Sequence, residues 1–65
     1  MKLIVNGEPH QVSAQSLDGL MIELEFEGEW LATAVNNELV RAAERRECLL
    51  QDGDRIEILT PKQGG

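Results

Sequence analysis

Met1, Leu3 and Val5 recur at every second position at the start of the chain, the period of a strand with one buried face. Asn6-Gly7 follows, the pair that best tolerates the two positive φ angles of a type I′ turn, so residues 8–12 are predicted to return antiparallel. Pro9 has no amide hydrogen to give a neighbour, which puts this second strand at a sheet edge. After the polar connection 13–15, Ser16 is the expected N-cap of a helix. Gly19 stands where a capping box needs Glu or Gln, so that motif is missing. Leu17, Leu20, Met21 and Leu24 then recur at i, i+3, i+4 and i+7, which marks one apolar helical stripe. That stripe reads as core. Glu23, Glu25 and Glu27 lie mostly off it, and Gly28 suits the position just past the helix end.

A third strand is predicted over 30–35, from Trp30, with Leu31, Thr33 and Val35 on one face. Asn36-Asn37 supplies turn chemistry before a short fourth strand, Glu38-Leu39-Val40. Residues 41–50, with Ala42, Ala43, Glu44, Arg45, Arg46 and Glu47, are expected to form one turn or a short helix. Asp52-Gly53-Asp54 is a strong turn signal, and residues 55–59 read as the last strand. Ile56 and Ile58 face inward there, and Leu59 falls on the opposite face, where it is a candidate for docking a partner. Pro61 ends pairing and leaves Lys62 to Gly65 free of structural obligation. The helix and the strands each have one apolar side, so one helix must cover one face of a mixed sheet. The crossover through the helix makes the first strand parallel to a later one. This is an α+β arrangement of the β-grasp, or ubiquitin-like, kind: four to five strands, one main helix on one face. Residues 1–59 form the domain, and 60–65 a flexible C-terminal tail.

Sixty-five residues allow one domain, and a chain this short buries only about 60% of its unfolded surface. A self-sufficient catalytic pocket is hard to fit, which favours a carrier, a binding module or a subunit. No Ser/His/Asp set, carboxylate pair or phosphate loop stands out, so the expectation is that the chain is not an enzyme. Twelve carboxylates against six basic residues give a net charge of −6, which disfavours nucleic acid and anionic membranes. The acidity suits a basic face on a partner protein, or ordinary solubility. Cys48 is the single cysteine and His10 the single histidine, so neither an internal disulfide nor a zinc site assembled by this chain alone is expected. Cys48 reads as a small buried hydrophobe rather than a nucleophile. No run approaches a membrane span or a signal peptide, and a cytoplasmic protein, monomeric when free, is expected.

The chain ends in Gly64-Gly65. Two glycines remove every side chain around the last carbonyl and leave the backbone nearly unrestricted. A tail of that kind threads a narrow channel and presents its carboxylate to a second reactant. A glycine-terminated end is also compatible with simple fraying.

Several of these features occur together: the opening strand and turn of residues 1–7, the helical stripe from Leu17 to Leu24, and Ala34-Val35-Asn36 with Val40 downstream. To them are added Asp52-Gly53-Asp54 leading into Ile56-Glu57-Ile58, and the closing Gly64-Gly65. In this combination the chain resembles, over essentially its whole length, the sulfur carriers of thiamine biosynthesis, the ThiS family. The resemblance implies that an E1-like adenylyltransferase uses MgATP to activate the carboxylate of Gly65, with Gln63, Gly64 and Gly65 entering the partner's active site. It implies further that sulfur from a cysteine desulfurase route replaces AMP to give a thiocarboxylate, and that thiazole synthase receives that sulfur. No cofactor is bound by the chain itself in this scheme. Two departures from the family pattern concern the segment after Val40. Family members commonly carry Pro-Arg there and a tryptophan a few residues on, where this chain has Arg41-Ala42 and Arg45, its tryptophan being Trp30. Rival readings are the small subunit of molybdopterin synthase, a β-grasp interaction module with an inert tail, and a protein modifier joined through Gly65.

Overall fold

The computed structural model describes residues 1–27 and 30–60. Asn6 and Gly7 take φ angles of 51° and 84°, and the turn they make joins β1 (Lys2–Val5) to β2 (Glu8–Gln11) in an antiparallel pair. β2 is an edge strand, as Pro9 requires, in a sheet of order β2-β1-β5-β3-β4. β3 (Ala32–Val35) and β4 (Glu38–Val40) form the second hairpin, with Asn36 and Asn37 both at positive φ. β5 (Arg55–Leu59) lies between the hairpins, parallel to β1 and antiparallel to β3. The predicted parallel crossover is present.

The third strand begins two residues later than the sequence pattern suggests. β5 ends at Leu59, whose partner is Ala32, so among the described residues Trp30 and Leu31 have no strand opposite them. Leu31 is nevertheless buried, while Trp30 is exposed.

Ser16 caps α1 (Leu17–Glu23), its Oγ accepting the amide of Gly19 at 3.1 Å. The helix ends sooner than Gly28 implied, and Gly28 lies outside the described residues. Glu25 instead takes the left-handed conformation, with φ 66°. Its amide donates to the Ile22 carbonyl at 3.1 Å and that of Phe26 to the Met21 carbonyl at 2.8 Å. These two bonds make a Schellman motif with glutamate in the usual glycine position. Packing supplies the reason, because Phe26 folds back against the core.

One face of the sheet and the helix stripe enclose the core. Leu3, Val5, Ile56 and Ile58 come from the strands, Leu17, Leu20 and Met21 from the helix, and Val12, Leu31 and Leu50 from connections. The Asp52-Gly53-Asp54 turn is fastened to β1. Asp52 Oδ1 accepts the Lys2 amide and the Gly53 amide donates to the Lys2 carbonyl, each at 2.7 Å. Asp54 closes the turn by accepting the amide of Gln51 at 2.8 Å. The turn therefore does more than reverse the chain: it sets the height at which β5 enters the sheet.

Candidate functional site

Strand alternation sends Ile56 and Ile58 to the core and Arg55, Glu57 and Leu59 to the other face. The register places Ala32 beside Leu59, Ala34 beside Glu57, and Leu39 beside Ala34. Two alanines thus form a low floor between two leucines, and a shallow depression of about 80 Å³ lies over them. Leu39 is 71% exposed and Leu59 63%. A single surface leucine needs no explanation, whereas these two flank an alanine floor and form one exposed apolar patch. Sequence reasoning picked out Leu59 and missed Leu39, Ala32 and Ala34. Leu39 was recoverable only from the register of β4 against β3.

Leu59 ends β5 and Thr60 follows it, so the patch sits at the C-terminal end of the last strand. Gln63, Gly64 and Gly65, the residues expected to carry the chemistry, lie outside the described residues. Residues 60–65 reach at most about 20 Å when fully extended.

A wider open groove lies on the other side of Leu39, bordered by Val35, Glu38, Cys48, Leu49 and Asp54. Burial pushes the Cys48 thiol up from its ordinary pKa, and the carboxylates of Asp54 and Glu44 push the same way. A thiol held protonated is a poor nucleophile. Cys48 packs against the core as a half-buried residue.

The segment after Val40 forms a 3-10 helix, Ala42–Glu47, with Glu44 accepting the Arg41 amide at 3.1 Å. Arg45 turns inward from it and is only 7% exposed. Its Nε donates to Thr33 Oγ1 at 3.2 Å and its Nη2 to the Leu31 carbonyl. Thr33 in turn donates to the Val40 carbonyl at 2.6 Å. The guanidinium therefore ties the 3-10 helix to β3 and to the end of β4. Among the described residues, no group of three His, Cys, Asp or Glu side chains is placed to hold a metal ion.

The sequence model of the ThiS family matches residues 3–65. The chain belongs to the ThiS family. A crystal structure of the thiamine biosynthesis protein ThiS from Geobacter metallireducens superposes with a TM-score of 0.85 at 28% identity, the match covering all of both chains. A solution structure of a thiamine biosynthesis protein from the same organism gives 0.81 at 28% identity, covering all of this chain and 88% of that one. These similarities agree with the five-stranded β-grasp sheet and its single main helix. Among curated proteins, a thiazole synthase of Magnetococcus marinus is 36% identical over 66 residues. The alignment takes in all of this chain, which spans about a fifth (20%) of that relative's length.

Proposed function

We propose that this ThiS-family chain is a sulfur carrier of thiamine biosynthesis, working through a free carboxylate on Gly65. The carboxylate attacks the α-phosphate of MgATP held by an E1-like partner, giving an acyl-adenylate and releasing pyrophosphate. A persulfide from a cysteine desulfurase route then attacks the acyl carbon, AMP leaving with the former carboxylate oxygen, and a thiol reductant cleaves the resulting acyl disulfide, itself ending in a disulfide, so that a thiocarboxylate remains. A carboxylate is a poor electrophile until its oxygen belongs to a phosphoric anhydride. A side chain at residue 64 or 65 would crowd both transfers, which is the physical case for Gly64-Gly65.

The observation that carries this reading is the family match over residues 3–65, which includes the two glycines. The apolar patch of Leu39 and Leu59 at the exit of the tail supports it, because a tail this short needs a docking surface close by. The thiazole synthase relative supports thiazole synthase as the acceptor. The net charge of −6 would speed encounter with a basic face on either partner, an effect that weakens with salt.

Intact mass after incubation with the adenylating partner, MgATP and a sulfur source tests the reading. Exchange of one oxygen for sulfur, mapped to Gly65, is the expected result. Deletion of Gly65 should abolish the exchange, and Gly64→Val should reduce it sharply, both with the melting temperature nearly unchanged. Unchanged sulfur transfer by either variant would overturn the carrier reading.

A further inference from the structure

β1 supports only half of β5. The two strands pair at Ile4 with Arg55 and at Val5 with Ile56, and the last backbone bond runs from the Asn6 amide to the Ile56 carbonyl at 2.9 Å. A parallel ladder continued by one more step would offer Ile58 a backbone carbonyl and a backbone amide. The chain cannot supply them, since Asn6-Gly7 turns it away into β2. The side chain of Asn6 fills the gap. Its Oδ1 accepts the Ile58 amide at 2.9 Å and its Nδ2 donates to the Ile58 carbonyl at 3.1 Å. One carboxamide thus mimics the missing strand residue, two positions before the tail begins at Thr60.

The geometry points to Asn6 as a positioning residue for activation: its amide fixes the line along which β5 delivers the tail to the partner. On the far side of β5, β3 pairs as far as Leu59. With Asn6 in place the strand is held on both flanks to within one residue of its end. Without it, one flank is open from Ile58 onward, and the end of β5 can swing about its β3 edge. Any swing there shifts the point from which the residues after Leu59 depart toward the partner. The docking patch lies on β3, β4 and β5 and does not include Asn6. A partner would therefore still bind the altered carrier, but with the tail productively aimed in a smaller fraction of complexes. This predicts a fall in kcat rather than a rise in KM.

The molecule contains its own control. Asn36 also opens a turn with φ 51° and also clamps β5, its Oδ1 accepting the Arg55 amide at 3.0 Å. Its Nδ2 donates to Asp54 Oδ1 at 3.0 Å. That clamp grips the entrance of β5, at the opposite end from the tail. Asn6→Gly and Asn36→Gly each keep the positive φ accessible and remove one carboxamide. Both should lower stability; only Asn6→Gly should reach the tail.

This inference rests on the proposed activation of Gly65, so two measurements are paired. The first is steady-state adenylation with the activating partner. Asn6→Gly should lower kcat about threefold to tenfold with KM within twofold of the parent, Asn6→Asp should recover part of the loss by keeping the acceptor for the Ile58 amide, and Asn36→Gly should leave both constants within twofold. The second is amide exchange, in which Ile58 should exchange at least tenfold faster in Asn6→Gly, with the change propagating to Leu59 and Thr60. In Asn36→Gly the faster amide should be Arg55. Equal kinetics for the two glycine variants would overturn the positioning role, as would exchange in Asn6→Gly that stops at Ile58. If the parent chain itself is not adenylated, it is the carrier reading that fails. The exchange data then decide the clamp alone, and an Asn6→Gly variant with unchanged Ile58 exchange overturns it.

Discussion

Replacing Arg45 with methionine tests whether a buried cation holds this small domain together. Methionine keeps most of the stem's volume and discards the guanidinium. Buried ion pairs are often replaced by apolar residues at no cost, because the desolvation penalty was large. Arg45 is different in kind: its described partners are neutral, the Thr33 hydroxyl and the Leu31 carbonyl. Removal leaves the Leu31 carbonyl buried without that donor, a loss of about 1–3 kcal/mol. Thr33 keeps its own donation to the Val40 carbonyl, so its share of the loss is smaller. The recovered desolvation of a weakly hydrated guanidinium offsets part of the total. The net expectation is a destabilisation of about 2 kcal/mol, out of the roughly 3–10 kcal/mol that a domain of this length commands. In thermal unfolding that corresponds to a drop of about 8–16 °C. Urea titration of the parent, Arg45→Met, Thr33→Val and the double variant completes a cycle, with a coupling of about 1 kcal/mol expected. A methionine variant as stable as the parent, with no coupling to Thr33, would refute the tie between the 3-10 helix and β3.

Three further predictions follow from local features. Glu25→Gly should raise stability by about 0.5–1 kcal/mol in urea titration, because glutamate at φ 66° occupies a position where the side chain is strained. Leu59→Lys and Leu39→Lys should each weaken binding to the activating partner by about tenfold or more, the worth of one buried leucine, without lowering the melting temperature. Calorimetric titration with the partner measures this, and unchanged affinity in both variants would remove the patch as the docking surface. The raised pKa of Cys48 means the folded chain holds its thiol proton more tightly than the unfolded chain does. The stability this contributes is full below the ordinary thiol pKa and is lost as pH rises through the folded one. A parent chain that weakens from about pH 8.5 upward, beside a Cys48→Ala variant that does not, is the expected comparison.

Much of the architecture is legible because its signals are local. Asn6-Gly7, Ser16, the Leu17–Leu24 stripe and Asp52-Gly53-Asp54 each act through their own backbone or through neighbouring turns of helix, and each forms as read except that Leu24 falls at the C-cap and is only partly buried. What escaped is decided by residues far apart in the chain. The start of β3 depends on where β5 stops, and the end of α1 depends on Phe26 finding the core. Nothing around Arg45 distinguishes it from Arg41 or Arg46, because its burial is conferred by Thr33 and Leu31. The same holds at the candidate site. Leu59 could be placed on the outer face from alternation alone, whereas Leu39 and the two alanines join it only through the β3–β4 and β3–β5 registers.

The central place of β5 has a consequence for how the protein is made. Before residue 59 emerges from the ribosome, the nascent chain holds two hairpins that share no edge, and an isolated hairpin is at best marginally stable in water. The helix has only half a sheet to cover until then. Closure of the core thus waits for β5, and a chain interrupted earlier stays open to proteases. Folding of the core reports that all five strands of the sheet have been made.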